Sequence, residues 1–223
     1  MFGNYNKNVH SQNGEDGIIE EILHRLDVDY NTSWCVDIGA WDGILYSNTY
    51  NLVKKGMHGV FVEGASEKIP DLNNTAKFYK KIIPIEAFVS HNPADENSLD
   101  NILKRTPIPK DFECISIDID SYDLAVWESL KEYSPKIVVI EVNSSIAPGI
   151  VWRNGDPESI RQDGLPGGNT FSATNEVAKE KGYTLVMHTG NNIYIRNDLI
   201  EKVGVPTDIV NNPDSLFNRN WLR

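Results

Sequence analysis

The sequence predicts an α/β protein with a mostly parallel, seven-stranded sheet, helices on both faces and a C-terminal antiparallel β-hairpin. Strand-like apolar runs alternate with helical patterns from residue 34 onward. The runs are almost continuously apolar, as is typical of parallel strands covered on both faces. Two further runs near the C-terminus flank a Gly-Asn pair, which indicates a hairpin. The 223 residues fit a single domain over residues 1–223 better than two domains.

The first half of the chain divides into three strands and their helices. Residues 11–26 are amphipathic and form the helix of an N-terminal helical segment, residues 1–30, with its cap region at Ser11 to Asp16. Ser47 suits the start of the next helix and Gly56 its end. Pro84 suits a strand at the edge of the sheet. The predicted strands are 34–40, 59–64 and 81–90, and the helices between them are 47–56 and 66–77.

The second half continues the alternation and then ends in the hairpin. Helix 98–106 leads to strand 112–120, and helix 123–133 has apolar residues at 124, 126, 127 and 130 on one face. Strand 136–143 is the strongest of the set. Residues 148–170 contain many glycines and prolines, so we expect a long loop or lid there. Helix 172–182 and the hairpin 183–198 complete the pattern.

The composition excludes several classes of partner. A net charge of −11 and a pI near 4.9 argue against nucleic acid and against an anionic membrane surface. No apolar run approaches the roughly 20 residues of a membrane helix. The first residues lack the basic and apolar regions of a secretory signal, so we expect a cytoplasmic protein. The oligomeric state stays open, and a homo-oligomer is compatible with the sequence.

Acidic and polar residues recur where the predicted strands end. Ligands of open α/β sheets bind beyond the carboxyl ends of the strands, and buried unpaired acids are costly in a core. We therefore interpret these residues as a functional site. Asp37 and Gly39 end the first strand and Glu63 ends the second, and the later strand ends carry Asp118, Asp120, Glu141, Asn143 and His188.

The segment VDIGAWDG, residues 36–43, favours S-adenosylmethionine over NAD as the cofactor. Gly39 and Gly43 allow a backbone turn to approach a ligand closely. Glu63 follows about 20 residues later, where an acid can accept hydrogen bonds from a ribose diol. NAD would use the same acid, but its GxGxxG motif is absent. Asp42 would also repel a pyrophosphate, whereas it tolerates the cationic sulfonium of S-adenosylmethionine.

Six segments in this order resemble the FkbM-related methyltransferases: SQNGEDGIIEEIL, VDIGAWDG, VFVEG, ISIDIDSYD, VVIEVN and HTGNNIYI. The resemblance covers roughly residues 11–197 and implies a class I, Rossmann-like fold. This bacterial group is linked to O-methylation of sugars and other secondary metabolites, so a sugar, sugar nucleotide or similar small polar acceptor is implied. Typical members carry D-x-E-G where this chain has Asp118-Ile119-Asp120-Ser121, a departure that affects the substrate class. The implied S-adenosylmethionine contacts are Gln12, Glu15, Asp37, Gly39, Asp42, Glu63 and Asp118.

The acids of the fourth and fifth strands suggest two kinds of chemistry. Asp118 and Asp120 lie two apart, so on an extended strand both would project to one side. Oxygen ligands of this kind suit Mg²⁺ or Mn²⁺. The pattern resembles that of catechol-type and some sugar O-methyltransferases, which predicts the ligands Asp118, Glu141 and Asn143. A structural hydrogen-bond network is the alternative. Without a metal, Asp120 or His188 would be the catalytic group that takes the hydroxyl proton.

Other functions remain open at this point. Asp118 and Asp120 also form the D-x-D of a metal-dependent glycosyltransferase, or part of an aspartyl-nucleophile phosphatase motif. Both interpretations leave VDIGAWDG and Glu63 unexplained. A non-catalytic Rossmann-like binding domain is a further alternative. In the long loop, Trp152 can stack on a sugar and Arg153 can pair with a phosphate, although plain loop packing explains them equally well.

Overall fold

The computed structural model describes residues 2–154 and 168–219 and contains the predicted seven-stranded sheet. Its strands are β1 (Trp34–Ile38), β2 (His58–Glu63), β3 (Ile82–Glu86), β4 (Cys114–Ile117), β5 (Ile137–Glu141), β6 (Tyr183–His188) and β7 (Asn191–Arg196). The strand order is β3-β2-β1-β4-β5-β7-β6. β7 runs antiparallel to both of its neighbours, and the other pairs are parallel. The predicted fold class is confirmed, including the edge position of the strand that contains Pro84.

Helices cover both faces of the sheet, as predicted. They are α1 (Glu15–Arg25), α2 (Tyr50–Lys54), α3 (Ile69–Phe78), α4 (Leu99–Lys104), α5 (Asp123–Ser129), α6 (Phe171–Glu180), α7 (Ile200–Val203) and α8 (Thr207–Asn211). One apolar core lies between the sheet and α1, α2, α3 and α7, and the other lies beneath α4, α5, α6 and α8. None of the helices in the described ranges is long and apolar enough to cross a membrane.

The fourth strand is shorter than predicted, and this changes the geometry of its acids. The backbone N–H of Asp118 still donates to Ile38 at 3.0 Å, but the strand ends at Ile117. Asp120 then adopts a left-handed conformation with φ of 60°. The expectation that Asp118 and Asp120 project to one side of an extended strand is therefore wrong. Both lie on a turn that leads into α5.

Three other boundaries differ for local reasons. The first helix begins at Glu15 because residues 9–11 fold as a loop whose three backbone N–H groups donate to Asp16 Oδ2, each at 2.8 Å. The hairpin turn is Thr189-Gly190, not Gly-Asn, and Gly190 takes the positive φ of 105°. The predicted loop 148–170 is described only at its two ends, since residues 155–167 lie outside the described ranges.

Candidate cofactor and methyl-acceptor site

The glycine-rich turn after β1 brings the ends of two strands together. The carboxyl ends of β1, β2, β4, β5 and β6 meet at one edge of the sheet, and the chain order reverses between β1 and β4, where ligands bind in such sheets. Gly39 has φ of 81°, and a Cβ on it would lie 1.8 Å from the backbone oxygen of Asp118. A Cβ on Gly43 would lie 2.9 Å from the Leu72 side chain. The protein's own packing therefore requires both glycines. From the sequence, we explained them only by the close approach of a ligand.

Two of the predicted cofactor-binding acids shape the segment after this turn. Asp37 is buried, and its Oδ2 accepts hydrogen bonds from Ser47 Oγ at 2.5 Å and Thr49 Oγ1 at 2.7 Å. Burial raises the pKa of Asp37 to about 6, although these hydrogen bonds act in the opposite direction. Asp42 Oδ1 accepts from the backbone N–H groups of residues 44 and 45, each at 2.8 Å. Both acids hold backbone geometry within residues 37–49.

Glu63 stands at the end of β2 beside an exposed aromatic ring. Its two carboxylate oxygens accept backbone N–H groups from Trp41 and Ala65, each at 2.7 Å. Glu63 is partly exposed, and each oxygen keeps lone-pair capacity for a further donor. The Phe88 ring is 77% exposed and lies against Gly64, where a Cβ would be 2.4 Å from it. The sequence pattern did not single out Phe88, because it falls within the predicted strand 81–90, whereas β3 ends at Glu86.

Three carboxylates form what we call the acid cluster: Asp118, Asp123 and Glu141. One oxygen of each lies within 4.8 Å of the others. Asp123 accepts the backbone N–H groups of Ile119 at 2.7 Å and Ser121 at 3.0 Å. Among the described residues, the side chains of Asp118 and Glu141 have neither a hydrogen-bond donor nor an ion-pair partner. The cluster therefore has unmet capacity for a cation or a proton.

The pKa values of the acid cluster reflect this crowding. Burial, followed by the charges of Asp123 and Asp120, raises the pKa of Asp118 to about 7. Burial and the charge of Asp118 raise the pKa of Glu141 to about 8. Burial is also the largest cause for Asp123, whose pKa rises to about 6. An arriving positive charge would lower all three values.

Asn143, the third metal ligand that the sequence predicted, already engages its side-chain oxygen within the protein. Its Oδ1 accepts hydrogen bonds from the backbone N–H of Ser145 at 3.0 Å and from Ser145 Oγ at 2.5 Å. Asp123, the first residue of α5, lies beside Asp118 and Glu141 and supplies the third carboxylate. The correction follows from the turn after β4, which folds Asp123 back toward the strand ends.

His188 has a structural position, contrary to its predicted role as a catalytic base. Its side chain is fully buried, with Nδ1 2.8 Å from Asn192 Oδ1 and Nε2 3.1 Å from Ser144 Oγ. The imidazole stacks on Phe217 at a centroid distance of 5.3 Å. Burial lowers the pKa of His188, so the neutral ring is favoured. With both nitrogens engaged, it does not suit proton transfer from a methyl acceptor.

Glu15 and Gln12 also differ from their predicted role at the cofactor. Glu15 is fully buried and accepts hydrogen bonds from Thr189 Oγ1 at 2.6 Å, Asn191 Nδ2 at 3.2 Å and the Asn13 backbone N–H at 2.8 Å. It ties the start of α1 to the β6–β7 hairpin. The side chain of Gln12 is exposed and lines a separate cavity at the end of β6.

The base of the loop after β5 carries three buried polar atoms that have no hydrogen-bond partner in the described parts of the chain: Trp152 Nε1, Asn154 Oδ1 and Asn169 Nδ2. The backbones of Trp152 and Thr170 pair here, at 3.1 Å. Asn154 Nδ2 donates to the Ser121 oxygen at 2.7 Å, which places this base beside the acid cluster. Such orphaned groups are rare and call for a partner.

Arg153 does not offer its charge to a substrate phosphate. Its guanidinium pairs with Glu128 at 3.1 Å and with Glu176 at 3.8 Å, so it bridges α5 and α6 on the protein surface. The loop-packing alternative thus accounts for Arg153.

The raised pKa values predict an unusual dependence of stability on pH. Asp37, Asp118, Asp123 and Glu141 bind protons more tightly in the folded protein than in the unfolded chain. Their contribution to stability is therefore greatest below about pH 4 and is lost as the pH rises through about 6 to 8. We expect the protein, freed of metal and cofactor, to melt at a higher temperature at pH 5 than at pH 8.

Calorimetry of Glu141→Gln tests the origin of this effect. The variant should raise the melting temperature at pH 8 and flatten the profile, whereas Glu67→Gln, at an exposed position, should leave the profile unchanged. A wild-type protein that melts higher at pH 8 than at pH 5 would contradict the assignment of these pKa shifts.

Comparison with known proteins gives similarity in structure alone. No protein-family model matches the sequence, and no curated protein matches it. A crystal structure of a putative caffeoyl-CoA O-methyltransferase from Staphylococcus aureus superposes with a TM-score of 0.50 at 16% identity, over 80% of this chain and 81% of that one. Monomeric WbdD superposes with a TM-score of 0.53 at 12% identity, over 85% of this chain and 42% of that one. At these identities the likeness establishes the Rossmann-like methyltransferase fold, and the predicted FkbM relationship stays a prediction.

Proposed function

We propose that the chain is an S-adenosylmethionine-dependent O-methyltransferase that acts on a hydroxyl of a sugar or sugar-like small molecule. The observation that carries the proposal is a pair of carboxylates, Asp118 and Glu141, which have no hydrogen-bond donor or ion-pair partner within residues 2–154 and 168–219 and lie at the strand ends of a methyltransferase fold, beside the Gly39 turn. The cofactor brings a sulfonium cation to such an edge, and methyl transfer to a hydroxyl releases a proton. Carboxylates that lack a partner among the described residues suit both the binding of the cation and the acceptance of the proton.

Glu63 and Phe88 supply the contacts for the nucleoside part of the cofactor. The free lone pairs of Glu63 can accept the two ribose hydroxyls while its backbone donors stay in place. Phe88 exposes its ring beside the end of β2, and an aromatic face can stack on adenine. Asp37 and Asp42 contribute indirectly, because they hold the turn between these groups and the acid cluster.

Replacing Phe88 by alanine should weaken binding of S-adenosylmethionine by roughly 1–3 kcal/mol, the range for stacking of one base on an aromatic side chain. Phe78→Ala is the matched control, because Phe78 is 84% exposed and is an equal aromatic side chain at the end of α3. Calorimetric titration measures both. Equal affinities for the two variants would place the adenine elsewhere.

Methyl transfer requires the protein to align the acceptor hydroxyl with the methyl group and to provide a proton acceptor. The hydroxyl oxygen of the methyl acceptor attacks the methyl carbon in line with the sulfur, the carbon–sulfur bond breaks, and the hydroxyl proton leaves. We assign Asp118 to that proton, because its carboxylate is partly exposed and has no partner among the described residues, and because its backbone adjoins Gly39. Asp120, exposed on the same turn, is the alternative that the sequence predicted.

The base of the loop after β5 suits a neutral, hydroxylated methyl acceptor. Trp152 Nε1 and Asn169 Nδ2 are donors and Asn154 Oδ1 is an acceptor, and sugar hydroxyls can satisfy both kinds. The nearby carboxylates disfavour phosphorylated acceptors, and Arg153 is already paired. Incubation with labelled cofactor and a panel of sugars, sugar nucleotides, amines and nucleic acids tests this. Label on nitrogen or nucleic acid would refute the acceptor class.

A divalent cation is a second candidate for the acid cluster. The three oxygens of Asp118, Asp123 and Glu141 lie close enough together to hold Mg²⁺ or Mn²⁺, which prefer such ligands. Bound there, the ion would lower the pKa of the acceptor hydroxyl. Asp123 already accepts two backbone N–H groups, which orients its carboxylate.

Chelation separates the two assignments. If Asp118 takes the proton directly, exhaustively chelated protein should keep its full rate of methyl transfer, since no step then depends on an ion. If the cluster holds a metal, activity should disappear on chelation and return with Mg²⁺ or Mn²⁺. A label-transfer assay before and after chelation gives the measurement.

A further inference from the structure

A cavity separate from the acid cluster opens at the end of β6. Its volume is about 690 Å³, enough for more than one sugar ring. One wall is the loop before α1, residues 6–14, and the opposite wall is residues 215–218. His188 and Thr189 lie at its floor. We call this space the N-terminal cavity.

Both walls are fixed by contacts within the protein. The loop before α1 is closed by the Lys7 N–H, which donates to the Gly14 oxygen at 3.3 Å, and by the Gly17 N–H, which donates to the Lys7 oxygen at 3.1 Å. Across the cavity, Asn218 Nδ2 donates to the His188 oxygen at 3.1 Å, and Phe217 stacks on the His188 ring. The cavity is therefore preformed, which reduces the entropy cost of binding a ligand.

The lining of the N-terminal cavity favours a neutral, polar ligand. The side-chain amides of Asn6, Gln12 and Asn13 line it and make no hydrogen bond to any described residue. Amides both donate and accept, as hydroxyls do. The described lining contains no carboxylate, and its one charged group is Lys7, so neither a cation nor a polyphosphate is matched. Phe217, whose ring stacks on His188, adds an apolar group to the lining.

The N-terminal cavity lies next to the proposed reaction site. Glu15 follows Gly14 of the cavity wall and accepts a hydrogen bond from Thr189 of its floor. Glu141 of the acid cluster pairs with Asn191 across β5 and β7, and Asn191 Nδ2 donates to the same Glu15 carboxylate at 3.2 Å.

We propose that the N-terminal cavity is a saccharide subsite, which binds a neutral sugar unit next to the one that receives the methyl group. The inference rests on the proposed function for the link to methyl transfer, and it implies an acceptor of at least two sugar units. The binding of neutral saccharides by the cavity can be tested without methyl transfer.

The test is an NMR titration of ¹⁵N-labelled protein with the neutral disaccharides lactose, maltose and cellobiose. Binding should shift the amide signals of Asn13, Thr189 and Asn218. Asn6→Trp, which fills the cavity, should abolish these shifts. Asn13→Ala, a smaller change, should weaken binding about three- to tenfold, as expected for one neutral hydrogen bond. Asn73→Ala, on the exposed surface of α3, is the matched control and should bind like the wild type.

The subsite would be overturned by the absence of shifts with any of the disaccharides, or by shifts confined to residues around the acid cluster. Unchanged binding by Asn6→Trp and Asn13→Ala would also overturn it. Affinity for S-adenosylmethionine is measured in parallel and should stay unchanged in both variants. A wild-type protein that does not bind S-adenosylmethionine would refute the proposed function. The saccharide shifts would still show, independently of that result, whether the cavity binds saccharides.

Discussion

Asp118→Asn should slow methyl transfer by about 10²–10⁴-fold, the usual contribution of a general base, while S-adenosylmethionine still binds. The amide keeps the shape of the side chain but cannot accept the hydroxyl proton. In the wild type, the rate should rise with pH as Asp118 ionises, with a midpoint below the value of about 7 for the cofactor-free protein, because the bound sulfonium cation lowers the pKa of Asp118. Single-turnover transfer of a labelled methyl group measures the step directly.

Asp120→Asn is the control that distinguishes Asp118 from the other acid on the same turn. The two acids lie on the same turn, but Asp118 adjoins Gly39, whereas Asp120 is exposed to solvent. We expect Asp120→Asn to retain most of the rate. If Asp120→Asn is the slower variant, Asp120 is the residue that accepts the proton. If both variants keep the wild-type rate, neither acid of this turn accepts it.

Gly39→Ala should prevent folding or destabilise the protein by more than about 4 kcal/mol, the range reserved for severe local disruption. The new Cβ would lie 1.8 Å from the Asp118 backbone oxygen, so the contact between the ends of β1 and β4 could not form. A positive φ of 81° adds strain for any residue with a Cβ. Chemical denaturation measures the change in free energy of unfolding.

Gly182→Ala is the matched control for the backbone conformation. Gly182 has φ of 79°, almost the value of Gly39, but a Cβ there would meet no atom within 4 Å. The control should therefore cost only about 1–2 kcal/mol, the strain of the left-handed conformation. Similar losses for the two variants would show that steric contact with Asp118 is unimportant, which would contradict the described geometry of the turn.

Most of the fold could be predicted because its signals are local. Alternating apolar runs and helical patterns identify a parallel sheet, and Pro84 identifies an edge strand. Boundaries were missed where hydrogen bonds or close backbone contacts, which an apolar pattern does not contain, decide the backbone. The loop before α1 depends on Asp16, and the end of β4 depends on the contact of Asp118 with Gly39.

The site was harder to predict because its chemistry depends on which polar atoms are already engaged. Glu15 and His188 stand at the predicted edge, but hydrogen bonds within the protein occupy Glu15 and both ring nitrogens of His188. Asp123 joins Asp118 and Glu141 through a turn that a strand pattern does not contain. Sequence spacing identifies which residues lie at the carboxyl edge of the sheet. Only the three-dimensional contacts distinguish acids that hold the structure together from acids that are available to a ligand.

Binding of S-adenosylmethionine at the ends of β1 and β2 is the central claim, and calorimetric titration of the wild type and Glu63→Ala tests it most directly. The wild type should bind S-adenosylmethionine and its demethylated product, and should bind neither NAD nor UDP-sugars. Glu63→Ala should bind the cofactor roughly 1.5–3 kcal/mol more weakly, because it loses hydrogen bonds to a charged group. Absence of binding to the wild type, or equal affinity in a folded Glu63→Ala, would contradict the account.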